Sequence, residues 1–187
     1  MSASRLDAGL FIEQDKKQAE LAFRFQCRVD IDSFRIVEAS FRCKKPAEQA
    51  EFPLQFELGY RAGSAATAEK VISIPIKFEF RAIEKESKLA VVTLRCLIQA
   101  NYILNEQDDE VLSAQQITAF KNGNAIFNCW PYFREFVQSS LLRMNYPPLS
   151  LPFLRLIPKL PRAIESKAEE TPEAPADPKL LEEILVD

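Results

Sequence analysis

The chain has 187 residues, of which 47% are hydrophobic, and its net charge is −3. This length and composition are typical of one globular domain with a sizeable core, and the weak acidic charge argues against a nucleic-acid partner. Histidine is absent, which removes the commonest general base and the commonest imidazole metal ligand.

Residues 1–20 are polar and mixed in charge, and we interpret them as an N-terminal extension. Within it, Leu10, Phe11 and Ile12 are candidates for a short helix. The first residues show no basic-then-apolar signal pattern, and no apolar run approaches about 20 residues. We therefore expect a soluble, cytoplasmic protein without membrane insertion.

Apolar and polar residues alternate strictly from Phe23 to Ile31, which predicts a half-buried strand. The phase slips near Ser33 and Phe34 and then resumes as far as Cys43. Such a slip indicates either a bulge or bend in one long strand, or two strands joined without a proper turn.

Three further alternating stretches predict strands over residues 52–60, 72–81 and 89–104. Pro75 cannot donate to a ladder, so it indicates an edge position or an unpaired end of its strand. Short and medium connections between four strands favour an antiparallel sheet with one apolar face.

After the predicted strands, apolar residues recur at the spacing of an α-helix. Val111, Ala114, Ile117 and Phe120 predict a first helix after an acidic run, and residues 122–124 interrupt it. A long amphipathic helix is predicted from Trp130 to Met144 with Pro131 in its first turn, where proline is tolerated. Asn145 suits a left-handed residue at the helix end, and the two prolines beyond it prevent continuation. The expected fold class is therefore α+β, a four-stranded antiparallel sheet with a long C-terminal helix packed on it.

The composition changes near residue 157. Residues 158–178 are rich in proline, glutamate and alanine, which predicts a flexible, disordered linker. Residues 179–187 have the apolar spacing of a short amphipathic tail helix. The folded domain is thus expected over residues 21–157.

Catalytic signatures are missing from the sequence. Four glycines leave no room for a phosphate-binding loop, and the paired carboxylates Asp108-Asp109 and Glu182-Glu183 are typical of solvated charge runs. The cysteines are widely spaced, which is typical of buried thiols rather than of a metal site or disulfide framework. We predict a protein that is not an enzyme, with no metal and no cofactor.

The long helix carries apolar residues on more than one side, whereas one sheet covers only one side of a helix. Subunit association is the first explanation for this surplus, and an exposed binding surface is the second.

The segment Trp130-Pro131-Tyr132-Phe133-Arg134-Glu135, followed by an apolar helix and by Tyr146-Pro147-Pro148-Leu149-Ser150-Leu151, resembles the SecB protein-export chaperone family. Residues 35–41 also look like the family's first strand, and four antiparallel strands before the helix match its order. The resemblance extends over about residues 25–157.

This resemblance implies an ATP-independent chaperone that keeps unfolded or preprotein clients soluble and competent for translocation. It also implies a homotetramer, a dimer of dimers with the long helices between the dimers, and client grooves lined by strands, a crossover loop and helix. The candidate client-binding residues are Phe41, Phe52, Phe56, Trp130 and Phe133. The candidate oligomer-interface residues are Tyr132, Phe136, Leu141 and Met144.

The sequence departs from the family pattern in places. A proline-rich linker replaces the family's second helix, and the acidic sheet surface that docks the export motor ATPase is only partly kept. Glu38 stands at an acidic position of the family, whereas Arg42 stands where a second acid is usual and Arg95 and Cys96 stand where the family has an acidic residue. A chaperone dedicated to a toxin–antitoxin client is therefore an alternative to one for general export. A small apolar-ligand carrier and an adaptor that acts through its C-terminal tail are two further alternatives.

Overall fold

The computed structural model describes residues 10–105 and 112–159. The tail predictions for residues 160–187, and the acidic run with Val111, lie outside the described residues. The elements in chain order are β1 (Leu10–Gln14), α1 (Lys16–Gln26), β2 (Val29–Cys43), β3 (Leu54–Ala62), β4 (Ala66–Ala68), β5 (Val71–Glu84), β6 (Ala90–Leu104), α2 (Ala114–Phe120), α3 (Ile126–Arg143) and β7 (Leu154–Pro158).

The main sheet is antiparallel, with strand order β2-β6-β5-β3 and the short β4 paired beside β5. Residues 44–53 carry the chain from β2 at one edge to β3 at the opposite edge, and we call them the crossing segment. The predicted α+β class, an antiparallel sheet with a long C-terminal helix, is confirmed. The predicted bulge near Ser33 is also confirmed, because the register of β2 against β6 shifts between Ile31 and Ser33.

Pro75 does not mark an edge, because β5 lies inside the sheet. Its carbonyl accepts a hydrogen bond from Gly63 N at 2.8 Å, at the point between the end of β3 and the start of β4. In an antiparallel strand the N–H and C=O of one residue point to the same side, so the missing donor faces this gap in the ladder. The alternative prediction, an unpaired end of the strand, is wrong as well, because Pro75 lies within β5 and opposite Gln99 of β6.

The strand predicted from Phe23 is wrong in its first part, since residues 16–26 form helix α1. Asp15 caps this helix by accepting from Gln18 N at 2.8 Å, while the Gln18 side chain accepts from Asp15 N. Phe25 is fully buried and Phe23 is exposed, as expected for residues two apart on a helix. The alternation was therefore a coincidence over a few residues.

The short helix suggested by Leu10, Phe11 and Ile12 is also wrong, because these residues form β1, which pairs in parallel with β7. Leu10 lies opposite Leu154, and both are buried in the main core. The predicted boundary after residue 20 falls inside α1. We therefore propose that the domain begins at about Leu10.

The interruption predicted at residues 122–124 is replaced by a π-helical turn, Lys121–Ala125, that joins α2 directly to α3. Because α3 starts at Ile126, Pro131 lies inside the helix rather than in its first turn. Its side chain faces solvent, away from the core face of the helix. The predicted helix end is confirmed, since Asn145 follows α3 with φ 61°.

Candidate functional site

Two of the five candidate client-binding residues, Trp130 and Phe133, belong to the core. Phe133 is 0% exposed and stacks on Phe78 of β5 with ring centroids 4.6 Å apart. Trp130 is 3% exposed and donates from Nε1 to the Pro152 carbonyl at 3.0 Å. Both side chains are therefore packed in the core of the single chain, where a client cannot reach them while the helix stays on the sheet.

The other three candidates differ in exposure. Phe41 and Phe52 are 68% and 55% exposed, whereas Phe56 is half-buried against Phe80, with ring centroids 5.6 Å apart. Phe41 lies in β2 and Phe52 in the crossing segment. Of the five candidates, Phe41 and Phe52 are the two whose aromatic rings are largely exposed to solvent.

Phe41 is part of a longer apolar strip along β2, which we call the edge strip: Ile31, Phe34, Ile36, Ala39 and Phe41. Directly opposite residues of an antiparallel pair point to the same face of the sheet. Phe41 lies opposite Leu94 and Ile36 opposite Ile98, and both β6 residues are fully buried under the helical layer. The edge strip therefore faces the helical side of the sheet but lies beyond the part that the helices cover.

A flank of α3 borders the edge strip. The rings of Phe34 and Tyr132 lie 5.0 Å apart, and Tyr132 is 46% exposed. Phe136, one helical turn later, lies on the same flank and is half-buried. The edge strip and these two α3 side chains form an open apolar surface, which we call the edge groove.

The candidate interface residues of α3 do not share one environment. Leu141 is 3% exposed and Met144 packs against the core from its rim, so both serve the fold of the single chain. Tyr132 and Phe136 remain at the surface. Sequence analysis missed Ile31 and Ile36. Simple alternation would place Ile36 and Phe41, five residues apart, on opposite faces, and a second register shift between Ile36 and Glu38 brings them onto the same face.

Glu84, at the end of β5, is buried, with 0% of its side chain exposed. Its carboxylate accepts from Lys45 Nζ at 2.7 and 2.9 Å, from Glu51 N at 3.1 Å and from the Ser87 hydroxyl. The Lys45 ammonium, followed by the Ser87 hydroxyl, lowers the pKa of Glu84 from 4.5 to about 2, although burial acts in the opposite direction. Sequence analysis gave no sign of this site.

The two buried cysteines are not placed to act as nucleophiles, and the described residues contain no metal-binding cluster. Burial raises the pKa of the Cys96 thiol to about 11 and that of Cys129 to about 12, so both stay protonated at neutral pH. Over residues 10–105 and 112–159, no group of three histidine, cysteine, aspartate or glutamate side chains is placed to hold a metal. None of the helices described there has the length and hydropathy of a membrane-spanning helix.

Comparison with known proteins finds relatives in sequence and in structure. No family model matches the chain. Two curated relatives, the SecB-like chaperones MT2006 and Rv1957 of two Mycobacterium tuberculosis strains, are each 29% identical to it over 167 residues, covering 82% of this chain and 91% of the relative.

A solved structure of the M. tuberculosis Rv1957 SecB-like chaperone, in complex with a ChAD peptide from the Rv1956 HigA1 antitoxin, shares the fold with a TM-score of 0.62. It is 21% identical in sequence, and the match covers 74% of this chain and 99% of that one. The sequence similarity and the shared fold together confirm the resemblance of this chain to the SecB-like chaperones.

Proposed function

We propose that this chain is a chaperone that binds extended apolar segments of client polypeptides and works without ATP. The observation that carries the proposal is the edge groove, where the edge strip and Tyr132 of α3 leave large apolar side chains open to solvent. Exposed contiguous apolar surface marks a site of interaction with another molecule. A holding function needs such a surface and no catalytic group, and the similarity to SecB-like chaperones supports the same role.

We further propose a dedicated, antitoxin-like client rather than a general role in protein export. The relative Rv1957 is seen with an antitoxin peptide, which supports this choice. The face of the sheet away from the helices supports it as well, since Arg95 pairs with Glu79 at 3.2 Å and Arg81 pairs with Glu57 at 2.9 Å. These pairs neutralise acidic side chains, whereas docking of the export motor is expected to need an acidic surface.

The chemistry of an open cleft of about 550 Å³ between α1 and α2 does not favour the carrier alternative. Charged and amide side chains, among them Glu13, Asp15, Lys17 and Gln18, line much of this cleft. A site for a small apolar ligand is expected to be lined mainly by apolar side chains. No observation on the described residues singles out such a carrier.

The first test measures how well the protein suppresses aggregation of a denatured model enzyme, together with its solution mass by light scattering. We expect suppression at comparable molar amounts and a homotetramer of the 21.3 kDa chain. An aggregating enzyme that is unaffected by excess protein would contradict the proposal. A variant that lacks residues 171–187 should suppress equally well, and loss of activity on this deletion would favour the adaptor alternative.

A matched pair of variants tests the edge groove itself. Phe41 is 68% exposed in the groove, and Phe23 is 65% exposed on α1, outside it. Truncating an aromatic anchor at an interface costs about 1–2 kcal/mol, so Phe41→Ala should weaken binding of carboxymethylated α-lactalbumin, a permanently unfolded chain, about 5- to 30-fold. Phe23→Ala should leave the affinity unchanged. Equal effects of the two variants would remove the groove as the client site.

A further inference from the structure

The crossing segment has little structure of its own. Ala47–Gln49 form a short 3₁₀ turn, and Lys44 N donates to the Val91 carbonyl at 2.7 Å, but none of its ten residues belongs to an α-helix or a β-strand. Such a segment keeps one conformation only if contacts with the rest of the fold fix it. Phe52 lies near its end and is the one large aromatic side chain that it offers to solvent.

Glu84 supplies the first of these contacts. Lys45 and Glu51, near the two ends of the segment, both donate to this single carboxylate. The carboxylate is buried, so it needs a counter-charge and hydrogen-bond donors. If the segment moved away, Glu84 would lose its cation and one backbone donor at once, which makes departure of the segment costly.

The end of α3 supplies the second set of contacts. The Tyr146 hydroxyl donates to the Lys45 carbonyl at 2.6 Å, and Asn145 Nδ2 donates to Glu48 Oε1 at 3.0 Å. The crossing segment is thus held between the end of β5 and the end of α3. Glu51, whose backbone N–H is bound to Glu84, immediately precedes Phe52.

We propose that Glu84 is a positioning residue of the client site, which fixes the crossing segment so that Phe52 is presented in a preformed orientation. The inference rests on the proposed chaperone function and on a role for Phe52 in client contact. A fixed anchor loses less conformational freedom when a client binds, so preformation strengthens binding without adding a contact.

Amide hydrogen exchange of Glu84→Gln tests the structural half of this inference. The Glu51 amide donates directly to Glu84, so amide exchange over residues 47–52 should accelerate about tenfold or more, while β5 and β6 stay protected. Ser87→Ala is the matched control, because it leaves the contact between Glu84 and Lys45 intact. This variant should accelerate amide exchange over the same residues less than Glu84→Gln does. Unchanged exchange at Glu51 in Glu84→Gln would overturn the inference.

A double-mutant cycle with Phe52→Ala tests the functional half, read as affinity for carboxymethylated α-lactalbumin. Phe52→Ala should weaken binding about tenfold in the unmodified chain but about twofold or less in Glu84→Gln, since a ring that is no longer positioned has little left to contribute. An undiminished effect of Phe52→Ala in the variant would overturn the positioning role. If Glu84→Gln does not fold, Tyr146→Phe, which removes the bond to the Lys45 carbonyl, takes its place in both experiments.

The exchange experiment and the binding experiment together distinguish a failure of this inference from a failure of the proposed function. If the unmodified chain binds no unfolded protein, the proposed function fails and the client role of Glu84 fails with it. Faster exchange at Glu51 in the same preparation would then show that the anchoring of the segment is real and that the error lies in the function.

Discussion

Replacing Phe133 by alanine distinguishes a core role from a client-binding role at this position. The ring is 0% exposed, stacks on Phe78 at 4.6 Å and lies 5.7 Å from the ring of Trp130. Truncating a fully buried phenylalanine removes its transfer free energy and leaves a cavity, which together cost about 3–5 kcal/mol. We expect the free energy of unfolding of Phe133→Ala to fall by about 4 kcal/mol.

Urea denaturation followed by tryptophan fluorescence measures this loss. With a slope of about 2 kcal/mol per molar urea, the midpoint should drop by about 2 M. The comparison needs one fixed protein concentration, because self-association would add its own contribution to stability. The matched control is Phe41→Ala, whose ring is 68% exposed, and its midpoint should move by less than about 0.5 M.

The opposite pattern should hold for client binding. At low urea, where Phe133→Ala is still folded, its affinity for carboxymethylated α-lactalbumin should stay close to that of the unmodified chain, whereas Phe41→Ala should bind more weakly. A Phe133→Ala protein that keeps its urea midpoint and loses client affinity would refute the reasoning from burial. Phe133 would then again be a candidate for contact with the client.

Three further predictions concern other parts of the fold. Ser113 caps α2 through a capping box with Gln116, so Ser113→Ala should lower the free energy of unfolding by about 1 kcal/mol in urea titrations, and an unchanged midpoint would contradict the cap. The pKa of Glu84 is lowered from 4.5 to about 2 in the folded state, so its contribution to stability is present above about pH 4.5 and is lost as the pH falls toward 2. The urea midpoint should therefore fall less on acidification in Glu84→Gln than in the unmodified chain, and equal falls would remove this residue as a source of the acid sensitivity. In the native protein a thiol reagent should label two of the four cysteines, and labelling of all four before unfolding would contradict the burial of the other two. The exposed pair is Cys27 and Cys43, and the buried pair is Cys96 and Cys129.

Alternation in the sequence predicted three strands of the main sheet closely. The stretches 72–81 and 89–104 correspond to β5 (Val71–Glu84) and β6 (Ala90–Leu104), and 52–60 to β3 (Leu54–Ala62). These strands bury one face under the helices, so their side chains must alternate with a period of two, and this pattern is readable in any sequence. The long helix and its end at Asn145 were predicted for a similar reason, because helical spacing and a left-handed residue are local properties.

Local patterns failed where a short stretch fitted two periods or where a contact came from elsewhere in the chain. Phe23 and Phe25 alternate as in a strand, yet the cap at Asp15 begins a helix that contains both. Leu10 forms a strand because Leu154, far along the chain, pairs with it. No window of a few residues contains that second partner, so the sequence could not reveal it.

The tertiary structure alone decided which apolar residues form the candidate site. Phe41 and Leu94 lie opposite each other on the same face of the sheet, yet one is 68% exposed and the other is fully buried. Their sequence patterns are alike, and the difference comes from the position of β2 at the edge, beyond the cover of the helices. Glu84 likewise carries no local sign of burial, although the fold buries it beside Lys45, which is distant in sequence. Burial and pairing are properties of the packed layers, so alternation along the chain determined the faces of the strands, and the packing determined which parts of those faces stay open.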